Sequence, residues 1–140
     1  MTQLSIQINN ADIVRRGLQD LSAEIPKIGR LQIYQTSQAI VRRMKIYPPE
    51  RIGQLYRRTG ILGGGWMIIP NTNGYTTRND TPYTKYVVGN AYGLEQAWMH
   101  ISTDQGKRWN LLRDVQEEEI KKLPPEIEKE ISMVARRLGL

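Results

Sequence analysis

The feature that most constrains this chain is a twenty-residue interruption, residues 46–65 (IYPPERIGQLYRRTGILGGG). It holds two prolines and five glycines and has no sustained periodicity. A loop of this length inside a compact domain is uncommon and is usually functional or disordered. Its apolar residues Ile46, Tyr47, Ile52, Leu55, Tyr56, Ile61 and Leu62 argue against simple disorder. They read as anchors without a local core, as expected of an arm laid on a neighbouring subunit. Gly63, Gly64 and Gly65 then read as a flexible joint between arm and following strand. A phosphate-loop reading fails, because the lysine, the Ser/Thr and the preceding strand it requires are missing.

The arm separates two kinds of pattern. Before it, residues 3–8 alternate polar and apolar, which predicts a strand. From Ala11 to about Leu21 the period is helical, with Val14, Leu18 and Leu21 aligned. Pro26 predicts a break, because an interior proline costs about 3 kcal/mol. One helix is therefore expected to end near Ser22 and another to run from near Ile25 to Lys45, stopped by Pro48 and Pro49. After the arm, 66–78 reads as a hairpin about the Asn71–Gly74 turn. Tyr83 to Val88, β-branched and aromatic, reads as a third strand. Residues 95–101 fit strand or helix. Asp114 and Glu117 match a capping box. A last helix beyond Pro124 and Pro125 carries Ile127, Ile131, Val134 and Leu138 on one stripe, acidic at its start and basic at its end.

The 140 residues suit a single domain, 1–140. Strands segregated from helices predict an α+β fold: a small antiparallel β-sheet packed with a long N-terminal helix and C-terminal helices, with 46–65 as an extended arm. No stretch approaches the ~20 apolar residues of a membrane span, and the first residues lack a secretory pattern. Without cysteine there are no disulfides, thiolate nucleophiles or Cys-held metals. The single histidine, His100, has no nucleophile at a recognisable spacing and reads as a structural hydrogen-bonding residue near Trp98. Glu117, Glu118 and Glu119 point about 100° apart on a helix and read as a solvated face rather than a cation site. No enzyme activity, metal or cofactor is expected.

The net charge of +6 is concentrated in residues 1–60. There, Arg42, Arg43, Lys45, Arg51, Arg57 and Arg58 face only Glu50. Such a patch suits an acidic protein partner or nucleic-acid phosphates. Aromatic residues beside arginines are also the composition of protein–protein hot spots. The residues expected to form a subunit or partner interface are Tyr47, Ile52, Leu55, Tyr56, Arg57, Arg58, Leu62 and Trp66. Arg42, Arg43 and Lys45 are expected to touch DNA or an acidic partner.

Several short motifs together carry a resemblance. They are Tyr47-Pro48-Pro49; Tyr56-x-Arg58-Thr59-Gly60-x-Leu62-x-x-x-Trp66; and Asn79 to Val87 with Pro82-Tyr83-x-x-Tyr86-Val87, followed by His100 and Trp109. In this layout the chain resembles the small minor virion proteins of long-tailed phages and prophages, the tail-completion or head–tail joining (neck) family. It departs from the family in carrying three glycines after the Thr-Gly-x-Leu turn, where relatives often have Arg or Ser. The resemblance implies a structural virion protein, made in the host bacterial cytoplasm. It further implies a homo-oligomeric ring, commonly of six subunits. The ring would join head connector to tail tube, with neck, connector, tube or terminator proteins as partners and lumen DNA as a further contact. A basic nucleic-acid-binding accessory protein is the alternative.

Overall fold

A computed structural model describes residues 11–50, 53, 59–90, 92–97, 100 and 109–140. The expected strand at residues 3–8 lies outside them. The fold is α+β: a long N-terminal helix, a two-stranded antiparallel sheet and C-terminal helices. In chain order the elements are α1 (Ala11–Met44), α2 (Ile61–Gly64), β1 (Trp66–Asn71), β2 (Gly74–Asn79), α3 (Thr84–Val88), α4 (Leu112–Lys121) and α5 (Leu123–Arg137). The chain divides into two compact units: Met1–Gln32 with Pro124–Leu140, and Ile33–Leu123.

The expected break at Pro26 does not occur. α1 continues through it for 34 residues. Ser22 and Pro26 are both exposed, so the carbonyl deprived of its donor lies on the wet face of the helix. The buried stripe continues on the opposite face, with Gly17, Ile28 and Gln32 before Ser37, Ile40, Val41 and Met44. That packing offsets the proline's local cost.

In the first unit, the start of α1 meets the end of α5. A Cβ added at Gly17 would stand 3.3 Å from the Leu140 side chain and 3.4 Å from the Leu138 carbonyl oxygen. Pro124 and Pro125 fall in the first turn of α5, where a missing N–H is harmless.

The second unit holds the main core. Met44 of α1, Val88 of α3 and Val115 of α4 are almost fully buried there, joined by Leu62 and Trp66. β1 and β2 form the expected hairpin, in register from Trp66↔Asn79 to Asn71↔Gly74. Its tip lies against α1: a Cβ on Gly74 would come 3.2 Å from Ile33, and the Tyr34 and Tyr75 rings sit 5.0 Å apart.

Residues 84–88 are a helix, not the expected third strand. Thr84, Val87 and Val88 are buried at i, i+3, i+4 spacing, which overrides their β propensity. α4 starts at Leu112 with Leu111 as its cap residue. Asp114 therefore lies inside the first turn, and the expected capping box does not form.

The triple-glycine segment is no flexible joint. Ile61–Gly64 is a helical turn, and the Gly64 and Gly65 amides donate to Gly60 and Ile61 at 2.9 Å. The Gly63 amide donates to the Tyr47 hydroxyl at 2.8 Å. A Cβ at Gly65 would stand only 2.7 Å from Asn79 Oδ1 and Thr81 Oγ1. Gly63 and Gly65 are approached closely by neighbours, whereas Gly64 faces open space.

Candidate functional site

The residues singled out in the arm and basic patch have three different fates. Tyr47, Leu62 and Trp66 do not form a surface. Leu62 and Trp66 belong to the chain's own core, and Tyr47 packs against it, its ring 4.9 Å from that of Trp109. Cover for the ends of the arm, expected from a neighbouring subunit, comes in part from the chain itself. Asn79 reinforces this. Its Nδ2 donates to the Leu62 carbonyl at 2.7 Å, while its Oδ1 accepts from the Thr81 amide and the Thr84 hydroxyl. Ile52, Leu55, Tyr56, Arg57 and Arg58 lie outside the described residues.

In the basic patch, Arg42 and Lys45 are exposed at the end of α1. Arg43, between them, is already engaged within the chain. Its guanidinium forks onto α4, with Nη1 donating to Glu119 at 2.9 Å and Nη2 to Glu118. Lys122 Nζ donates to the same Glu119 oxygen at 2.9 Å. Donating to Glu118, and then to Glu119, raises the Arg43 pKa above its ordinary value. The Glu119 carboxyl is held below the ordinary carboxylate value, first by Lys122 and also by Arg43, against the opposing effect of burial. The acidic trio is thus not a uniformly solvated face, because Glu119 is buried and serves as an internal clasp.

His100 sits edge-on to Trp109, ring centres 6.0 Å apart, and its carbonyl accepts the Trp109 amide. The expected neighbour Trp98 lies outside the described residues. Among the described residues, no helix is long and apolar enough to cross a membrane.

A surface that sequence reasoning missed lies on α3 and the loop after it. Tyr83, Tyr86, Tyr92 and Leu94 are exposed, Tyr92 at 77% and Leu94 at 61%. The backbone beneath them is tied down. Asn90 Oδ1 accepts from the Tyr92 and Leu94 amides at 3.0 and 3.1 Å, and the Asn90 amide donates to the Leu94 carbonyl. Ala97 donates to the Tyr86 carbonyl at 2.7 Å, and Gln96 Nε2 to that of Val87 at 2.8 Å. Gly93 takes a left-handed conformation, φ 72°, and a Cβ there would meet the Arg113 guanidinium at 2.9 Å. Lys85 lies 5.1 Å from the Tyr86 ring centre, so a cation flanks the aromatic surface. The readable signals were the Tyr83-x-x-Tyr86 helical spacing and the Asn90-x-x-Gly93 turn.

Aromatic side chains on a pre-ordered backbone lose little entropy on binding, and such residues dominate protein–protein hot spots. With each tyrosine able to bury ~150–250 Å², these four residues offer on the order of 400 Å² of largely apolar area. That is about half of one side of a standard interface. No family model matches the chain, and comparisons with curated proteins and with solved structures find no match.

Proposed function

We propose that this chain is a structural protein of a phage or prophage virion. In this reading it forms a ring at the head–tail junction or tail end that connects head connector to tail tube. The observation that carries the reading is the rigid Tyr86–Tyr92–Leu94 surface, which suits contact with another folded protein. The motif resemblance supplies the kind of assembly. The arm residues Ile52, Leu55, Tyr56, Arg57 and Arg58 enter the proposal from sequence alone. Exposed Arg42 and Lys45 suit an acidic neighbour. The engagement of Arg43 by Glu118 and Glu119 subtracts from the charge available to nucleic acid, which favours the structural reading over the nucleic-acid alternative.

The test is the solution mass of the purified chain and of a Tyr92→Ser, Leu94→Ser variant, with negative-stain imaging. The expected wild type forms closed rings. The variant should lose them while keeping its tryptophan-monitored unfolding curve. Rings that persist in the variant would remove this surface from the assembly. A wild type that binds duplex DNA with a steep salt dependence and forms no ring would favour the alternative.

A further inference from the structure

Among its described residues the first unit has little core. Its described part is two helices, Ala11–Gln32 of α1 and Pro124–Leu140 around α5, and Ile28 is the one hydrophobic side chain buried in it among the described residues. α5 buries no residue at all. Yet α5 has a clean apolar stripe, Ile127, Ile131, Val134 and Leu138, each only half-buried. On α1, Val14, Leu18 and Ile25 form an exposed ribbon at one edge of the face that meets α5.

The charges of α5 identify what completes this core. The stripe spacing of four, three and four residues is a heptad pattern. An antiparallel copy of α5 in that pattern sets Ile127 opposite Leu138 of the second copy, and Ile131 opposite Val134. The residues immediately preceding Ile131 and Leu138 are Glu130 and Arg137. They lie on the same edge of the stripe, one turn and more apart, and are too distant to pair within one helix. In the antiparallel arrangement Glu130 faces Arg137 of the second copy, and by the two-fold axis Arg137 faces Glu130 of that copy. Two opposite-charge pairs thus flank the apolar seam. A parallel arrangement puts no such pairs together.

We propose that the first unit is half of a four-helix bundle, completed by a second copy of this chain through antiparallel pairing of α5 with α5. The α1 ribbon of Val14, Leu18 and Ile25 broadens the contact. This two-fold interface uses different residues from the ring surface on α3, and either can exist without the other.

The test is sedimentation velocity on the full chain carrying Tyr92→Ser and Leu94→Ser, so that ring contacts do not mask pairing. That background is expected to dimerise. Glu130→Arg alone, or Arg137→Glu alone, sets two like-charge pairs across the seam and should weaken association about tenfold. The double variant Glu130→Arg/Arg137→Glu restores both pairs, as does a one-to-one mixture of the two single variants. Leu18→Lys should weaken the dimer as well. A background that stays monomeric at high concentration overturns the proposal. So does association indifferent to the single reversals, or a double variant and mixture that both fail to restore it. Rescue by mixing cannot come from two chains that merely fail to fold, so misfolding and loss of pairing are told apart.

Discussion

Arg43→Met removes the clasp while keeping most of the side chain's apolar stem. Two hydrogen bonds disappear. The one to Glu119 is at 2.9 Å and ends on a carboxylate whose side chain is only 8% exposed. Losing a charge-assisted bond of that kind costs ~1.5–3 kcal/mol. Removing the only partner of a fully buried charge would cost ~3–5 kcal/mol, but Lys122 remains on the same oxygen and lowers that figure. The Glu118 side chain is 57% exposed, so its bond adds ~0–1 kcal/mol. The sum is about 2 kcal/mol. Trp66, Trp98 and Trp109 all fall within Ile33–Leu123, so tryptophan fluorescence during urea unfolding reports on this unit alone. With a slope of ~1–1.5 kcal/mol per molar, the midpoint should fall by roughly 1.3–2 M. The sign of the pH dependence follows from Glu119. Its folded pKa is depressed from 4.5, chiefly by Lys122 and then Arg43. The stability it confers is present above the unfolded value and is lost as pH falls through the folded one. The variant has less depression to lose, so the gap between the two proteins should narrow as pH drops from about 7 to below about 4. A gap under about 0.5 kcal/mol at neutral pH, or one that does not narrow in acid, would refute the assignment of Glu119 as the clasp's anchor.

Pro26→Ala should stabilise α1 by ~1–3 kcal/mol, because the helix already runs through the position and an interior proline is its most unfavourable residue; helical circular dichroism during thermal melting checks this, and a neutral or destabilising result would mean the proline is accommodated by a kink worth keeping. Gly65→Ala should destabilise the second unit by ~1–3 kcal/mol, since its Cβ would press within 2.7 Å of Asn79 Oδ1 and Thr81 Oγ1 and disturb the bond from Asn79 to the Leu62 carbonyl; an unchanged urea midpoint would show that Asn79 can withdraw freely.

What was legible in the sequence follows a physical division. The hairpin was readable because Asn71–Gly74 is a turn signal between two runs whose pairing needs only local contacts. The apolar stripe of α5 was readable for the same reason, although the helix was expected beyond Pro124 and Pro125 and in fact starts at Leu123, with both prolines in its first turn. Pro26 was misjudged because its cost was weighed alone, without the buried stripe on the opposite face that runs past it through Ile28 and Gln32. The 84–88 segment was misjudged by weighing β-branched composition above the i, i+3, i+4 spacing of Thr84, Val87 and Val88. The glycines at 63–65 illustrate the limit most clearly. A glycine chosen for flexibility and one chosen for close approach look identical in a sequence, and only Tyr47 and Asn79, 16 and 17 residues away in the hydrogen bonds they make, distinguish the two. In the candidate site, likewise, Arg43 looked like a free cation because its carboxylate partners come 75 and 76 residues later.

The two exposed apolar surfaces differ in kind, and melting should separate them. The α3 surface rests on a backbone already fixed by Asn90, Gln96 and Ala97, so binding there adds contacts to a finished fold. The stripe of the first unit is only half-buried, and in the proposed pairing covering it is part of folding that unit. Association coupled to folding makes the melting temperature depend on protein concentration. For a dimer, each tenfold rise in concentration contributes about 1.4 kcal/mol per dimer, which amounts to a few degrees for a unit this small. The helical signal at 222 nm draws on both units, through residues 11–32 and α5 in the first and residues 33–44 and α4 in the second, whereas tryptophan fluorescence draws only on the second. In the Tyr92→Ser, Leu94→Ser background the part of the circular dichroism transition that fluorescence does not follow should therefore climb with concentration, while the fluorescence transition stays fixed. Two transitions that move together would mean the units melt as one and would refute the separation of core-completing from surface contacts. Two that both stay fixed would mean the helix pair is stable with its stripe half-covered, and the argument from an insufficient core would be wrong.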